Sequence, residues 1–244
     1  MDCKNILYDF FPKEKIFLSK KKRLIVLLGC FADFDSFEYC QQLVAQSKRL
    51  SNKSVEVILV GIGSEKSKER FCRFTKMDIQ KVFAVKNADL HEKLNLNPGF
   101  VSPLPSIVNL LIMCAGINSK GTIREVLRGY LGDPNSNALF SSDQDVKIAS
   151  INLFKGRMFD IFSKKKILRP FELATRRLLN MIEILSNWRT YFPYSKFLTE
   201  RGGTFILDEN NNVIYCYRPQ ALLGYSSNMS FPLWFLREFI TGIK

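Results

Sequence analysis

Two short runs constrain the fold of this chain more than anything else in it. Arg23-Leu-Ile-Val-Leu-Leu-Gly29 and Val55-Glu-Val-Ile-Leu-Val-Gly61 are almost wholly aliphatic and end on glycine. A strand covered on both faces reads this way, whereas a half-exposed strand alternates. Between the runs, Asp35-Ser-Phe-Glu38 has capping-box spacing, and Phe37, Cys40 and Val44 recur at helical intervals. A helix is therefore expected from Asp35 to about Leu50. Ser64 heads a second predicted helix, 65–75, with Phe71 and Phe74 on its inner side. Lys81 to Val85 reads as a third strand and 88–94 as a short helix containing His91. Buried strands joined by helices demand parallel pairing through right-handed crossovers.

From 96 to 195 that rhythm breaks. Pro98, Pro103, Pro105 and Pro134 punctuate short helices predicted at 106–115 and 122–130, and a strand is expected within 147–154. Pro170 suits the first turn of a long helix, 171–191, with an apolar stripe of Leu173, Leu178, Met181, Ile184, Leu185 and Trp188. The chain then returns to strand. Gly203 to Asp208 and Val213 to Tyr217 flank Glu-Asn-Asn-Asn, a strong hairpin signal, and 231–240 suits a closing helix. This strand plan is that of an α/β, three-layer, thioredoxin-like fold. Residues 1–95 begin it, 96–195 form a mainly helical insertion, and 196–244 complete it with a β-hairpin and helix.

Charge and composition narrow the function. Lys and Arg number 36 against 23 Asp and Glu, a net charge of +13, yet the only tight basic clusters are 20–23 and 164–166. Both precede apolar segments, as solvated boundaries do, and no nucleic-acid-binding motif is present; weak attraction to anionic surfaces is compatible with the charge. The single histidine, His91, excludes multi-histidine metal sites, and no cofactor is implied. Six cysteines are too few for a disulfide scaffold at this length. The longest apolar stretch, 104–117, is interrupted by Pro105, Ser106, Asn109 and Gly116, too broken for a membrane span. The first residues lack a secretory pattern, so the expected location is the cytoplasm, with thiols reduced.

Two glycine patterns fall short of nucleotide motifs. Gly61-Ile-Gly63-Ser-Glu-Lys66 lacks the third glycine of a dinucleotide fingerprint, and Gly116-Ile-Asn-Ser-Lys-Gly121-Thr122 lacks the lysine of a phosphate loop. The cysteines are the better candidates. Cys30 ends the first strand, and Cys40 falls in the second turn of the following helix, near a terminus that favours thiolate. Cys40 also lies on the apolar stripe with Phe37 and Val44, as a packing residue would.

Several segments resemble AhpC/TSA-type peroxiredoxin-like proteins. These are 28–39 (LGCFADFDSFEY), 124–133 (REVLRGYLGD), 169–175 (RPFELAT), 187–191 (NWRTY), 201–208 (RGGTFILD) and 223–226 (LGYS). The resemblance spans about 20 to 236. It implies a thioredoxin-like fold and reduction of a peroxide or small disulfide substrate, with a thiol as electron donor. It places the attacking thiol at Cys40, with Cys30 or an external thiol to resolve it, and makes Arg201, Gly202 and Gly203 either substrate contacts or a structural turn before the hairpin. The chain departs from the Pro-x-x-x-Thr-x-x-Cys pattern, with Asp33 for the proline and Phe37 for the threonine. It also lacks C-x-x-C, since Phe37 stands where the first cysteine would be. A thiol oxidoreductase and a non-catalytic thioredoxin-fold binding or scaffold protein are both compatible with this sequence; nucleotide binding at Gly61–Gly63 is a distant third. The apolar helix within the insertion needs a partner surface, either the insertion itself, as a lid over the Cys40 junction, or a second copy of the chain.

Overall fold

The computed structural model describes residues 3–11, 21–148, 151–161 and 168–239. The basic cluster at 164–166 lies outside them. Helix α1 (Cys3–Phe10) precedes β1 (Arg23–Cys30), followed by α2 (Phe34–Ala45), α3 (Ser47–Asn52) and β2 (Glu56–Ile62). Then come α4 (Glu65–Thr75), β3 (Val82–Val85) and α5 (Asp89–Lys93). The middle of the chain holds α6 (Ser106–Cys114), α7 (Thr122–Leu131), β4 (Asp145–Ile148), β5 (Ile151–Lys155), α8 (Met158–Ile161), α9 (Glu172–Ser186) and α10 (Trp188–Tyr191). The end supplies β6 (Gly203–Leu207), β7 (Val213–Tyr217) and α11 (Leu236–Phe239).

Five strands form one sheet in the order β3-β2-β1-β6-β7. β1, β2 and β3 pair in parallel, β6 runs antiparallel to β1, and β7 antiparallel to β6. This is the thioredoxin-like arrangement, with the 203–217 hairpin in the same sheet as the opening strands. Every residue of β1 is buried, as its unbroken aliphatic run requires. Leu24, Val26 and Leu28 face the larger core with α2 and α4, while Ile25 and Leu27 face a second core completed by α1 and α5.

Several expectations need correction. The sequence gives no sign of α1, which buries Ile6 and Leu7 against Ile25 and Leu27. Arg23, expected at a solvated boundary, is fully buried as the first residue of β1, and its Nε donates to the Lys21 carbonyl. The strand sought in 147–154 is a separate two-stranded hairpin, β4-β5. The long helix starts at Glu172 and breaks at Asn187 rather than running from 171 to 191. The closing helix begins at Leu236 rather than at 231, after turns, and is described to Phe239; residue 240 lies outside the described residues. The start of α2 also differs in kind. Asp33 takes the cap position without a side-chain cap bond, and neither Asp35 nor Glu38 makes the capping box their spacing suggests. Both carboxylates turn to arginines from elsewhere in the chain, because buried charge is better satisfied by a cation than by a backbone amide. At α4 the cap forms as read, with Ser64 and Ser67 each bonding the other's backbone amide.

The α9 stripe is only half buried. Leu173 and Ile184 are buried, but Leu178 and Leu185 are exposed. On the face of α9 that meets the sheet domain, Ile184 joins the larger core and polar contacts flank it: Arg177 Nε donates to Glu38 Oε2 at 2.7 Å, Gln41 Nε2 donates to Asn180 Oδ1 at 2.8 Å, and Arg70 Nε donates to Glu183 Oε1 at 2.7 Å.

Candidate functional site at the β1–α2 junction

The junction is built where β1 ends and α2 begins, with the Arg201-Gly202-Gly203 segment crossing beside it. Gly202 has no room for a side chain, because a Cβ there would meet the Leu27 carbonyl. That close approach lets Gly203 pair with Leu27 and start β6. Arg201 is thereby held against the first turn of α2 at 1% exposure.

Arg201 does not serve Cys40. Its Nη1 donates to Asp35 Oδ2 at 3.1 Å and to Asp33 Oδ1 at 3.4 Å; Nη2 donates to Asp33 Oδ1 at 3.4 Å and Nε to the Thr199 carbonyl at 2.9 Å. Burial opposes its charge, and the two carboxylates outweigh that, so its pKa is raised. One guanidinium shared by two buried carboxylates leaves one of them poorly compensated. Burial, followed by the charge of Asp33, pushes the Asp35 carboxyl up to about 8. Asp35 Oδ1 also accepts the Leu223 amide at 2.6 Å, and Ser36 Oγ donates to Asp33 Oδ2 at 3.1 Å.

Cys40 lies among core side chains with no exposure, and burial raises its thiol to about 12. Its polar neighbours are the Thr75 hydroxyl and the Cys72 thiol of α4. Cys30 is also buried, and burial together with the charge of Asp33 pushes it to about 12. The Arg201 charge acts on Cys30 and is outweighed there. The two thiols share no polar neighbour, and each is favoured as neutral thiol rather than nucleophilic thiolate.

Phe37 fills an aromatic cluster one turn before Cys40. Its ring meets those of Phe71, Phe74 and Tyr191 at centroid distances of 5.0, 5.6 and 5.5 Å. A pocket of about 20 Å³, room for about one water, remains at the junction. Its walls include Asp33, Asp35, Ser36, Gly202, Gly203 and Tyr225, but neither Cys30 nor Cys40. A larger cleft of about 400 Å³ opens along a different face of α2, bounded by Gln41, Gln42, Arg49, Arg176, Trp234 and Arg237 among others. Neither thiol lines it.

His91 is buried in α5. Its Nε2 lies 2.8 Å from the Leu28 carbonyl, and burial lowers its pKa to about 4, so it is a neutral tether between α5 and the end of β1. The Gly61–Gly63 turn does not form a nucleotide cradle. The Phe31 ring lies against both glycines, 2.7 Å from where their Cβ atoms would be, and the Gly63 amide donates to Val85 O at 2.8 Å. The Phe31 ring thus occupies the space over the two glycines that a close-approaching pyrophosphate would use.

A family model described as AhpC/TSA antioxidant enzyme matches residues 42–221. The chain belongs to this family. That is a thioredoxin-fold, redox-related family, and the membership agrees with the sheet order. No curated protein and no solved structure matches the chain. The family match begins after Cys40, so the junction thiols lie outside it. No helix among the described residues is long and apolar enough to cross a membrane.

Sequence reasoning placed Cys30, Cys40 and Arg201 in one region. It missed Asp33 and Asp35 as partners of Arg201, Asp35 having the spacing of a cap and Asp33 standing at the proline position of the resembled pattern. Two carboxylates beside buried strands and one arginine at the entry to the returning hairpin were the available signal.

Proposed function

We propose that this family member works by binding, with residues 96–195 as an insertion that supplies the interaction surface, and without thiol turnover. One observation carries this reading. Cys30 and Cys40 are both buried, both raised to about 12, and absent from the walls of the junction pocket and of the adjacent cleft. A peroxidatic or disulfide-exchanging thiol needs thiolate character and access, and these two have neither. The rival reading is reduction of a peroxide or disulfide by Cys40, resolved by Cys30 or an external thiol. It draws on family membership, and it requires an opening of α2 that exposes the Cys40 sulfur.

Iodoacetamide labelling of the native protein across a pH series separates the two. Cys114 and Cys216 are exposed and serve as internal positive controls. Labelling confined to the exposed thiols until denaturant is added supports the binding reading. Native labelling of Cys40 with an apparent pKa below about 8.5 overturns it in favour of thiol chemistry.

A further inference from the structure

Helices α6 and α7 each leave an apolar row facing solvent, although α6 also buries Leu110 and Met113 in the larger core. The outer face of α6 carries Ile107 and Leu111, and that of α7 carries Ile123, Leu127 and Leu131; Leu111 and Leu131 are 61% and 65% exposed. The inner faces are partly polar. Asn109 bonds Ser102, Thr122 bonds the Leu222 carbonyl, and Glu125 is paired with Arg128 at 2.7 Å. A helix adapted only to water places these classes the other way round. The two outer faces meet at the Gly116 turn, against which the Ile123 side chain packs, with exposed Ile117 beside it. Contiguous apolar exposure of this kind marks an interaction surface.

The charge on this face selects the partner. Between residues 101 and 131 the exposed charged side chains are Lys120 and Arg124, both cationic. The one carboxylate in the segment, Glu125, is buried in its ion pairs. With a net charge of +13, a second copy of the chain meets this face with like charge, whereas an anionic surface is attracted to it. A bilayer accepts protruding Leu and Ile side chains without a shaped pocket, and an anionic one adds attraction for the flanking cations. We infer that the outer face of α6 and α7 docks onto a lipid surface bearing anionic headgroups, with the aliphatic side chains entering the interface and Lys120 and Arg124 at headgroup level.

A lipid partner rests on the binding reading above, but the two fail separately: thiol labelling tests one and vesicle sedimentation the other. The full chain is sedimented with phosphatidylcholine vesicles with and without phosphatidylserine. The expected result is binding that requires phosphatidylserine and weakens by about tenfold as salt is raised to about 0.5 M. Leu111→Asp with Leu127→Asp should abolish it, and Lys120→Glu with Arg124→Glu should remove the dependence on phosphatidylserine. All four positions are exposed, so both double variants should keep the wild-type circular dichroism and unfolding midpoint. Absence of wild-type binding to either vesicle overturns the proposal in favour of a protein partner. So does binding that survives Leu111→Asp with Leu127→Asp. A concentration-dependent doubling of mass that this double variant reverses overturns it in favour of a second copy.

Discussion

Arg201 Nη1 donates to Asp35 Oδ2 at 3.1 Å, and this contact ties the entry of β6 to the first turn of α2. The cation that a thioredoxin-like junction could have offered to a thiolate is instead committed to carboxylates. The junction is therefore an ionic clasp between two halves of the fold that are 166 residues apart in sequence.

Breaking the clasp from the cationic side should be costly. Arg201→Met leaves Asp33 and Asp35 buried without their cation, a loss of about 3–5 kcal/mol in denaturant unfolding. Adding Asp33→Asn and Asp35→Asn to the same chain should recover much of that loss, since no buried charge then remains. Equal destabilisation of the single and triple variants would show that the arginine acts only by filling space.

Acidity should strengthen the same junction. The Asp35 carboxyl is raised from 3.8 to about 8 by burial and by Asp33. The folded state thus holds a proton that the unfolded chain releases. The resulting stability is complete below about pH 4 and is lost as pH rises through about 8. Glu200, raised to about 7 by burial and by Glu92, adds to the same trend. Buried neutral His91, lowered from 6.5 to about 4, opposes this trend below about pH 6.5, so unfolding free energy is expected to fall between about pH 6.5 and pH 9, and Asp35→Asn to flatten that fall by about 2 kcal/mol. A slope unchanged in the variant would remove Asp35 as its source.

A threonine at position 37, where the sequence resemblance would put one, should not create chemistry. Phe37→Thr deletes a fully buried ring and inserts a hydroxyl into an aromatic cluster, at a cost of about 3–5 kcal/mol. Peroxide consumption should stay at the level of buffer, because Cys40 remains enclosed. Measurable turnover by Phe37→Thr would show that the thiol needs only its hydroxyl neighbour.

Trp188 tests whether α10 belongs to one chain or to an interface. Its ring stacks on Phe192 with centroids 3.9 Å apart, and α10 packs against α4 and α9 of the same chain. Trp188→Asp should lower the melting temperature by the same amount at low and high protein concentration. A shift that grows on dilution would place the residue between copies.

The sequence by itself determined the sheet. The aliphatic runs at β1 and β2 can be stable only when covered on both faces, and the Asn-rich turn closes β6 on β7 through local geometry. Those are statements about neighbours within a few residues and about burial, which periodicity records. The family was legible as well, from segments spread along the chain. The site was not. Whether Asp33 and Asp35 cap a helix or clasp an arginine depends on where residue 201 arrives, and no local pattern encodes that distance. Whether Cys40 is a nucleophile or a core residue depends on what α4 lays beside it. The exposed apolar rows of α6 and α7 show the same limit. Their spacing announces amphipathic helices, but only the tertiary structure decides which side meets the core, as where Glu125 faces inward toward Arg177 of α9.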